Sequence, residues 1–150
     1  MNLGARVNLA TIVGDDSEGR IIKKLISKLK ISLNNIHSTT NIKTTTKTRF
    51  ISNSTQLLRL DNDSIGLNDL DFISLKNSLI NIINNSDCII ISDYDKGVCS
   101  SHIIKEIIRI TIQKEIPLFI DPKGKNWEKY SNATCITPNT KEAELELNKN

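Results

Sequence analysis

Two short apolar runs, 117–120 and 133–136, each stop at a polar turn that holds a proline, and this repeated arrangement constrains the fold more than any other feature. The turns are Asp121-Pro122-Lys123-Gly124 and Thr137-Pro138-Asn139-Thr140, within the stretch 116–142. A third run, 88–92 (CIIIS), ends in Asp93-Tyr94-Asp95-Lys96-Gly97. Between it and the other two, residues 100–114 place Ile103, Ile104, Ile107 and Ile108 on one helical stripe. Strand, helix and strand within about thirty residues form a βαβ unit with a right-handed crossover, so the strands are parallel. Their polar exits then share one rim, and ligands of open α/β sheets bind outside the carboxyl ends of the strands. The chemistry is therefore expected at Asp121, Lys123, Asn139 and Glu142, with the carboxylates and lysine of the turn 93–97 facing the same crevice.

The remaining segments read in order. Residues 6–13 alternate and are β-branched, which predicts a strand. Asp15, Asp16 and Glu18 follow at the start of a helix over 19–30, where acids suit the positive end. That helix carries Ile21, Ile22, Leu25, Ile26 and Leu29 on its apolar face. Residues 38–52 are Thr-rich and basic, and 56–61 (QLLRLD) follow the turn 53–55. Two polar strands inserted between βα units form either a flap carrying Lys43, Lys47, Arg49 and Arg59, or an ordinary edge hairpin protected by its lysines. Residues 71–85 read as a helix with Phe72, Leu75, Leu79, Ile82 and Ile83 inward, and a last helix starts at Thr140. Neither an internal repeat nor a dividing linker is visible.

Composition excludes several classes. At 150 residues, with 38% hydrophobic and 25% charged residues, the chain suits one soluble domain. A net charge of +3 is too small to imply nucleic acid, and no apolar run reaches the length of a membrane span. Cys88, Cys99 and Cys135 lack metal-type spacing, and the odd count without a signal peptide suggests a reducing cytoplasm. Cys88 and Cys135, within apolar strands, are expected to be buried. No Walker-type phosphate loop occurs, and His37 and His102 lie in unrelated segments, so there is no Ser/His/Asp logic.

Asn139 and Glu142 can be a helix capping box, or the same helix start can face an anion, with Glu142 reaching a metal. In the turn after 117–120, Pro122 fixes a backbone angle and Gly124 permits a tight bend, holding Lys123 close to the strand end where a cation can contact phosphate oxygens. A carboxylate of the Asp93 turn is placed to hydrogen-bond a sugar hydroxyl.

The motifs SDYDKG, IDPKG, the spaced Tyr130 with Ala133 and Thr134, and TPNTKEAE occur in this order, after LGARVNLATIVGDDSEGR, TKTRF and QLLRLD. Together they resemble the ribokinase-type (PfkB) carbohydrate kinases, and within them the branch acting on D-glycero-β-D-manno-heptose 7-phosphate. The resemblance covers nearly all 150 residues. It implies a three-layer α/β/α sheet, here partial, with a small β-lid at about residues 40–61. It implies ATP-dependent transfer to the anomeric hydroxyl of a sugar phosphate, with Mg²⁺, in the heptose branch of lipopolysaccharide core synthesis. The family's N-x-x-E motif falls on Asn139 and Glu142, beside the triphosphate and the magnesium, with Asp121 and Lys123 at the nucleotide phosphates. Charge, rather than a matched motif, assigns Lys47, Arg49 and Arg59 to the sugar-phosphate anion, with Asp93 and Lys96 also on the substrate side.

The departures set a second expectation. The family's catalytic aspartate lies in a Gly-Ala-Gly-Asp turn, which this sequence lacks, as it lacks the N-terminal glycine pair for the sugar. The reading is thus a partial kinase domain over 1–150, without the first strands and the C-terminal catalytic part and with no catalytic base of its own. Either the chain acts with a separately encoded C-terminal segment, or it is a non-catalytic remnant. A homodimer through the lid is the other partnership the reading leaves open, and exposed apolar edges are expected to drive self-association.

Overall fold

The computed structural model describes residues 4–64, 66–124 and 127–147. They divide into two compact units, one ending at Asp71 and the other beginning at Phe72.

In the first unit, β1 (Thr11–Gly14) leads into α1 (Ser17–Lys28), and β2 (Ile36–Thr39) returns parallel to β1, with Thr11 opposite Ile36 and Gly14 opposite Thr39. The strand expected over 6–13 begins only at Thr11, because its partner is four residues long and the ladder ends with it. Asp16 caps α1: Oδ1 accepts from the Gly19 amide at 2.7 Å and the Thr44 hydroxyl at 2.8 Å, and Oδ2 accepts from the Thr44 amide at 2.8 Å. Those bonds, the Thr44 amide foremost, hold the Asp16 carboxyl below its usual range. Gly19 is obligatory here, since a Cβ would lie 2.2 Å from the Gly14 carbonyl oxygen.

The core of this unit is Val13, Ile26 and Ile36, with Ile22 and Ile31 packed against it. The buried stripe of α1 is therefore narrower than its sequence predicts, for Ile21, Leu25 and Leu29 are 57%, 54% and 62% exposed. The β1–β2 ladder offers the helix only a two-stranded surface to cover. Next comes a ribbon, β3 (Thr46–Ser52) and β4 (Thr55–Asn62). Asn53 and Ser54 both have positive φ, the two-residue turn that matches strand twist. Arg49 lies opposite Arg59 and Phe50 opposite Leu58, with a bulge after Phe50. Among the described residues the ribbon pairs only with itself, as a separate two-stranded sheet.

In the second unit, α2 (Asp69–Asn84, beginning just before the boundary) precedes β5 (Ile89–Ser92), α3 (Ser101–Gln113), β6 (Leu118–Asp121), a 3-10 turn (Trp127–Tyr130), β7 (Cys135–Ile136) and α4 (Thr140–Leu147). The sheet order is β5-β6-β7, all parallel, with Ser92 opposite Asp121 and Phe119 opposite Cys135. Ser100 caps α3 by accepting from the Ile103 amide, and the predicted isoleucine stripe is buried. Lys76 of α2 pairs with Glu106 of α3 at 3.2 Å. Arg109, then Lys76, lowers the Glu106 carboxyl to about 2.

Alternation puts Ile89, Ile91, Leu118 and Ile120 inward, while Ile90 is 73% exposed and Phe119 38%. Cys88 and Cys135 are exposed, against expectation, because the two-residue period puts Cys88 on the side of Ile90 and the register puts Cys135 beside Phe119. No described helix is long and apolar enough to cross a membrane.

Candidate functional site

The three strand exits of the second unit are stitched together by backbone. The Asp93 amide donates to the Asp121 carbonyl at 3.0 Å, and the Thr137 amide to the Ile120 carbonyl at 2.9 Å. Asp93 lies beneath this rim, 3% exposed. Its Oδ1 accepts from the Asp95 amide at 2.7 Å. Its Oδ2 accepts from Lys129 Nζ at 2.7 Å and lies 2.8 Å from the Tyr130 hydroxyl. Lys129 Nζ also reaches the Cys99 carbonyl and sits 5.0 Å from the centre of the Tyr130 ring. Burial pulls the Lys129 ammonium down, but the hydrogen bond and charge of Asp93 outweigh it and leave the group above its usual range. Burial raises the Tyr130 phenol, and burial together with the Asp93 charge raises the Cys99 thiol to about 12.

Tyr130 also grips the loop after β6. Its oxygen accepts from the Lys123 amide at 3.1 Å and lies 2.9 Å from the Lys123 carbonyl oxygen. A phenol has one proton, which serves either that carbonyl or Asp93. The next residue, Gly124, has φ of +79°, and a Cβ there would meet Asp95 Oδ2 at 3.0 Å, so the loops after β5 and β6 abut.

On the rim itself, Lys123 Nζ pairs with Glu142 Oε1 at 2.5 Å. That hydrogen bond, with the charges of Glu142, Asp121 and Tyr94, raises the Lys123 ammonium. Lys123 and then the Asn139 amide hold the Glu142 carboxyl low. Glu142 Oε2 accepts from the Asn139 amide at 3.0 Å, and the Glu142 amide donates to Asn139 Oδ1 at 3.0 Å. This is a reciprocal capping box at the start of α4. The cap thus aims the other carboxylate oxygen at Lys123, so capping and rim chemistry use the same residue.

The strand exits bring Asp93, Asp121, Lys123, Asn139 and Glu142 together, and Lys96 follows on the loop after β5. Asp93, expected to meet a sugar hydroxyl, has both oxygens engaged, one by its own loop and the other by Lys129 and Tyr130, and a direct sugar contact requires it to exchange partners. Lys47, Arg49 and Arg59 lie on the ribbon of the first unit, where Lys47 is opposite Asp61 and Arg59 Nε pairs with Asp61 Oδ1 at 3.0 Å. Among the described residues no group of three or more His, Cys, Asp or Glu side chains could hold a metal ion. Sequence reasoning missed Lys129, which looks like any connector lysine. The adjacent Tyr130, which with Trp127 puts two aromatic residues in a four-residue turn, was the available signal.

The chain matches the model of the pfkB family carbohydrate kinases over residues 1–150. It is 37% identical over 149 residues to "Bifunctional protein HldE" of Aliarcobacter butzleri, covering 97% of this chain and 31% of that protein. It is 42% identical over 144 residues to the protein of the same name from Campylobacter fetus, covering 94% and 31%. The chain therefore spans about a third of the length of the curated relatives it matches. Among solved structures, phosphofructokinase-2 from Escherichia coli in complex with potassium superposes with a TM-score of 0.72 at 17% identity, over 99% of this chain and 48% of that one. The ribokinase from Giardia lamblia gives 0.66 at 17%, over 93% and 43%. These neighbours share a ribokinase-type α/β fold with the chain. The chain belongs to the pfkB family of carbohydrate kinases.

Proposed function

We propose that the chain is part of a kinase that transfers the γ-phosphoryl group of ATP to the anomeric hydroxyl of heptose 7-phosphate, in the cytoplasm, on the way to lipopolysaccharide core. The observation that carries the reading is the rim pair Lys123–Glu142, braced by Asn139, at the carboxyl ends of parallel strands. Phosphoryl transfer needs positioning and neutralised charge more than covalent help. Lys123 supplies a cation to the nucleotide phosphates, and Asp121 sits beside it. The donor set also fits magnesium, which keeps much of its water and takes one or two carboxylates plus phosphate oxygens, so Glu142 without a cluster suffices. When bound, the metal neutralises phosphate charge. The Lys123 ammonium covers Glu142 Oε1, and turning Lys123 to phosphate would free that oxygen.

Lys47, Arg49 and Arg59 are assigned to the 7-phosphate, since guanidinium matches phosphate in two-point contacts. Lys96 stands on the substrate side, and Asp93 shapes the loop that carries it. The heptose reading rests on the resemblance carried by QLLRLD, SDYDKG and DPKG. No Gly-Ala-Gly-Asp turn occurs among these 150 residues, so the general base must come from outside them; the alternative is a non-catalytic role. A homodimer through the lid is the proposed self-association, supported by Phe50, Leu58 and Leu60, which share one side of the ribbon at 49%, 57% and 58% exposure.

Calorimetry with MgATP tests the nucleotide assignment. Binding is expected for the chain and a loss of about tenfold or more for Lys123→Met, the scale of one charge-assisted contact. Undiminished binding by Lys123→Met refutes the assignment. With heptose 7-phosphate and MgATP the chain alone is expected to give no turnover, and clear turnover refutes the missing base.

A further inference from the structure

We propose that Tyr130, seated on the buried Asp93–Lys129 pair, is a positioning residue that fixes the backbone of Lys123 and thereby presents its ammonium on the rim. The proposal rests on the reading that this ammonium meets phosphate.

The geometry is specific to one residue of the loop. The Tyr130 oxygen contacts both the amide and the carbonyl of Lys123, at 3.1 and 2.9 Å. Lys123 is also the residue whose side chain engages Glu142. Its neighbours do not fix the loop equally well. Pro122 has no amide hydrogen to donate, and Gly124 is free in φ. β6 ends at Asp121, so the sheet ladder stops two residues short of Lys123. The phenol is in turn oriented from below, because Asp93 Oδ2 lies 2.8 Å from it and is itself held by Lys129 at 2.7 Å. Tyr130 and Lys129 are 3% and 8% exposed, so neither touches a ligand at the rim directly. A long lysine side chain, half exposed here, samples many rotamers, and fixing its backbone narrows where the ammonium can be.

The test pairs Tyr130→Phe with Lys123→Met, measuring MgATP affinity in the single and double variants. Tyr130→Phe removes only the hydroxyl and is checked for a cooperative urea transition. The expected result is a loss of about tenfold in the wild-type background and a further change below about twofold in the Lys123→Met background, since coupled residues are not additive. Equal losses in both backgrounds overturn the proposal, because a merely structural tyrosine acts without regard to residue 123.

A second readout needs no nucleotide. A carbodiimide joins an amine and a carboxylate that touch, so the wild-type chain is expected to yield a Lys123–Glu142 cross-linked peptide by mass spectrometry. Tyr130→Phe is expected to lower that yield severalfold, and an unchanged yield overturns the proposal. If Tyr130→Phe does not fold, Lys129→Arg and Lys129→Met decide: the arginine retains the yield and the methionine lowers it, while equal yields overturn it. Absence of MgATP binding by the wild-type chain sinks the nucleotide reading alone, and the cross-link still settles the positioning.

Discussion

Replacing Lys129 by methionine tests the buried pair directly. The Asp93 and Lys129 side chains are 1% and 9% exposed, and their 2.7 Å contact is the charge balance of this part of the sheet. Methionine keeps the apolar stem and deletes the ammonium. Asp93 then retains the Asp95 amide and the Tyr130 hydroxyl but no cation. Removing one partner of a buried ion pair costs about 3–5 kcal/mol, and the two surviving hydrogen bonds point to the lower end, about 3 kcal/mol. Urea unfolding at pH 7.5 measures it. In the wild type, Lys129 is raised above its unfolded value, so its contribution is complete below the ordinary lysine range and is lost only as pH rises through the higher folded value. Adding Asp93→Asn recovers part of the loss, because no lone charge stays buried. A deficit below about 1 kcal/mol shows that Asp93 is not sealed and refutes the argument.

Other substitutions probe the rim, the ribbon and the open side of the sheet. Glu142→Gln is expected to abolish the magnesium dependence of ATP binding in calorimetry while costing less than about 1 kcal/mol in urea, since Lys123 is half exposed. Because Glu142 is held low, its pairing contributes above the unfolded carboxylate value and fades as pH falls through the folded one, so wild type and Glu142→Gln converge in stability at low pH. Arg49→Ala and Arg59→Ala are each expected to weaken heptose 7-phosphate binding by about tenfold and leave MgATP binding unchanged. Ile90→Thr is expected to reduce self-association in sedimentation with little change in folding stability, because Ile90 is 73% exposed.

The second unit was largely legible in the sequence because local signals agree there. Three apolar runs each end in a polar turn, Ser100 caps a helix with an isoleucine stripe, and the βαβ rule then fixes the shared rim. The Asn139–Glu142 box was legible for the same reason. Strand β2 was not, since Ile36 is its only apolar residue and its existence depends on pairing with β1. The exposure of Ile21, Leu25, Cys88 and Cys135 was not either, because periodicity says which residues share a face but not whether anything covers it. Lys129 escaped because a buried lysine is defined by its distant carboxylate, here 36 positions away in the chain.

The placing of Arg49 across from Arg59 carries a consequence for the ribbon. Like charges at directly opposed positions weaken a two-stranded sheet, and Asp61 compensates Arg59 from one side only. On the proposed assignment of both arginines to a phosphate, a bound dianion would turn that repulsion into attraction and stiffen the ribbon. Amide exchange along 46–62 would then slow as phosphate is added, which makes the ribbon a gauge of anion concentration if the assignment holds.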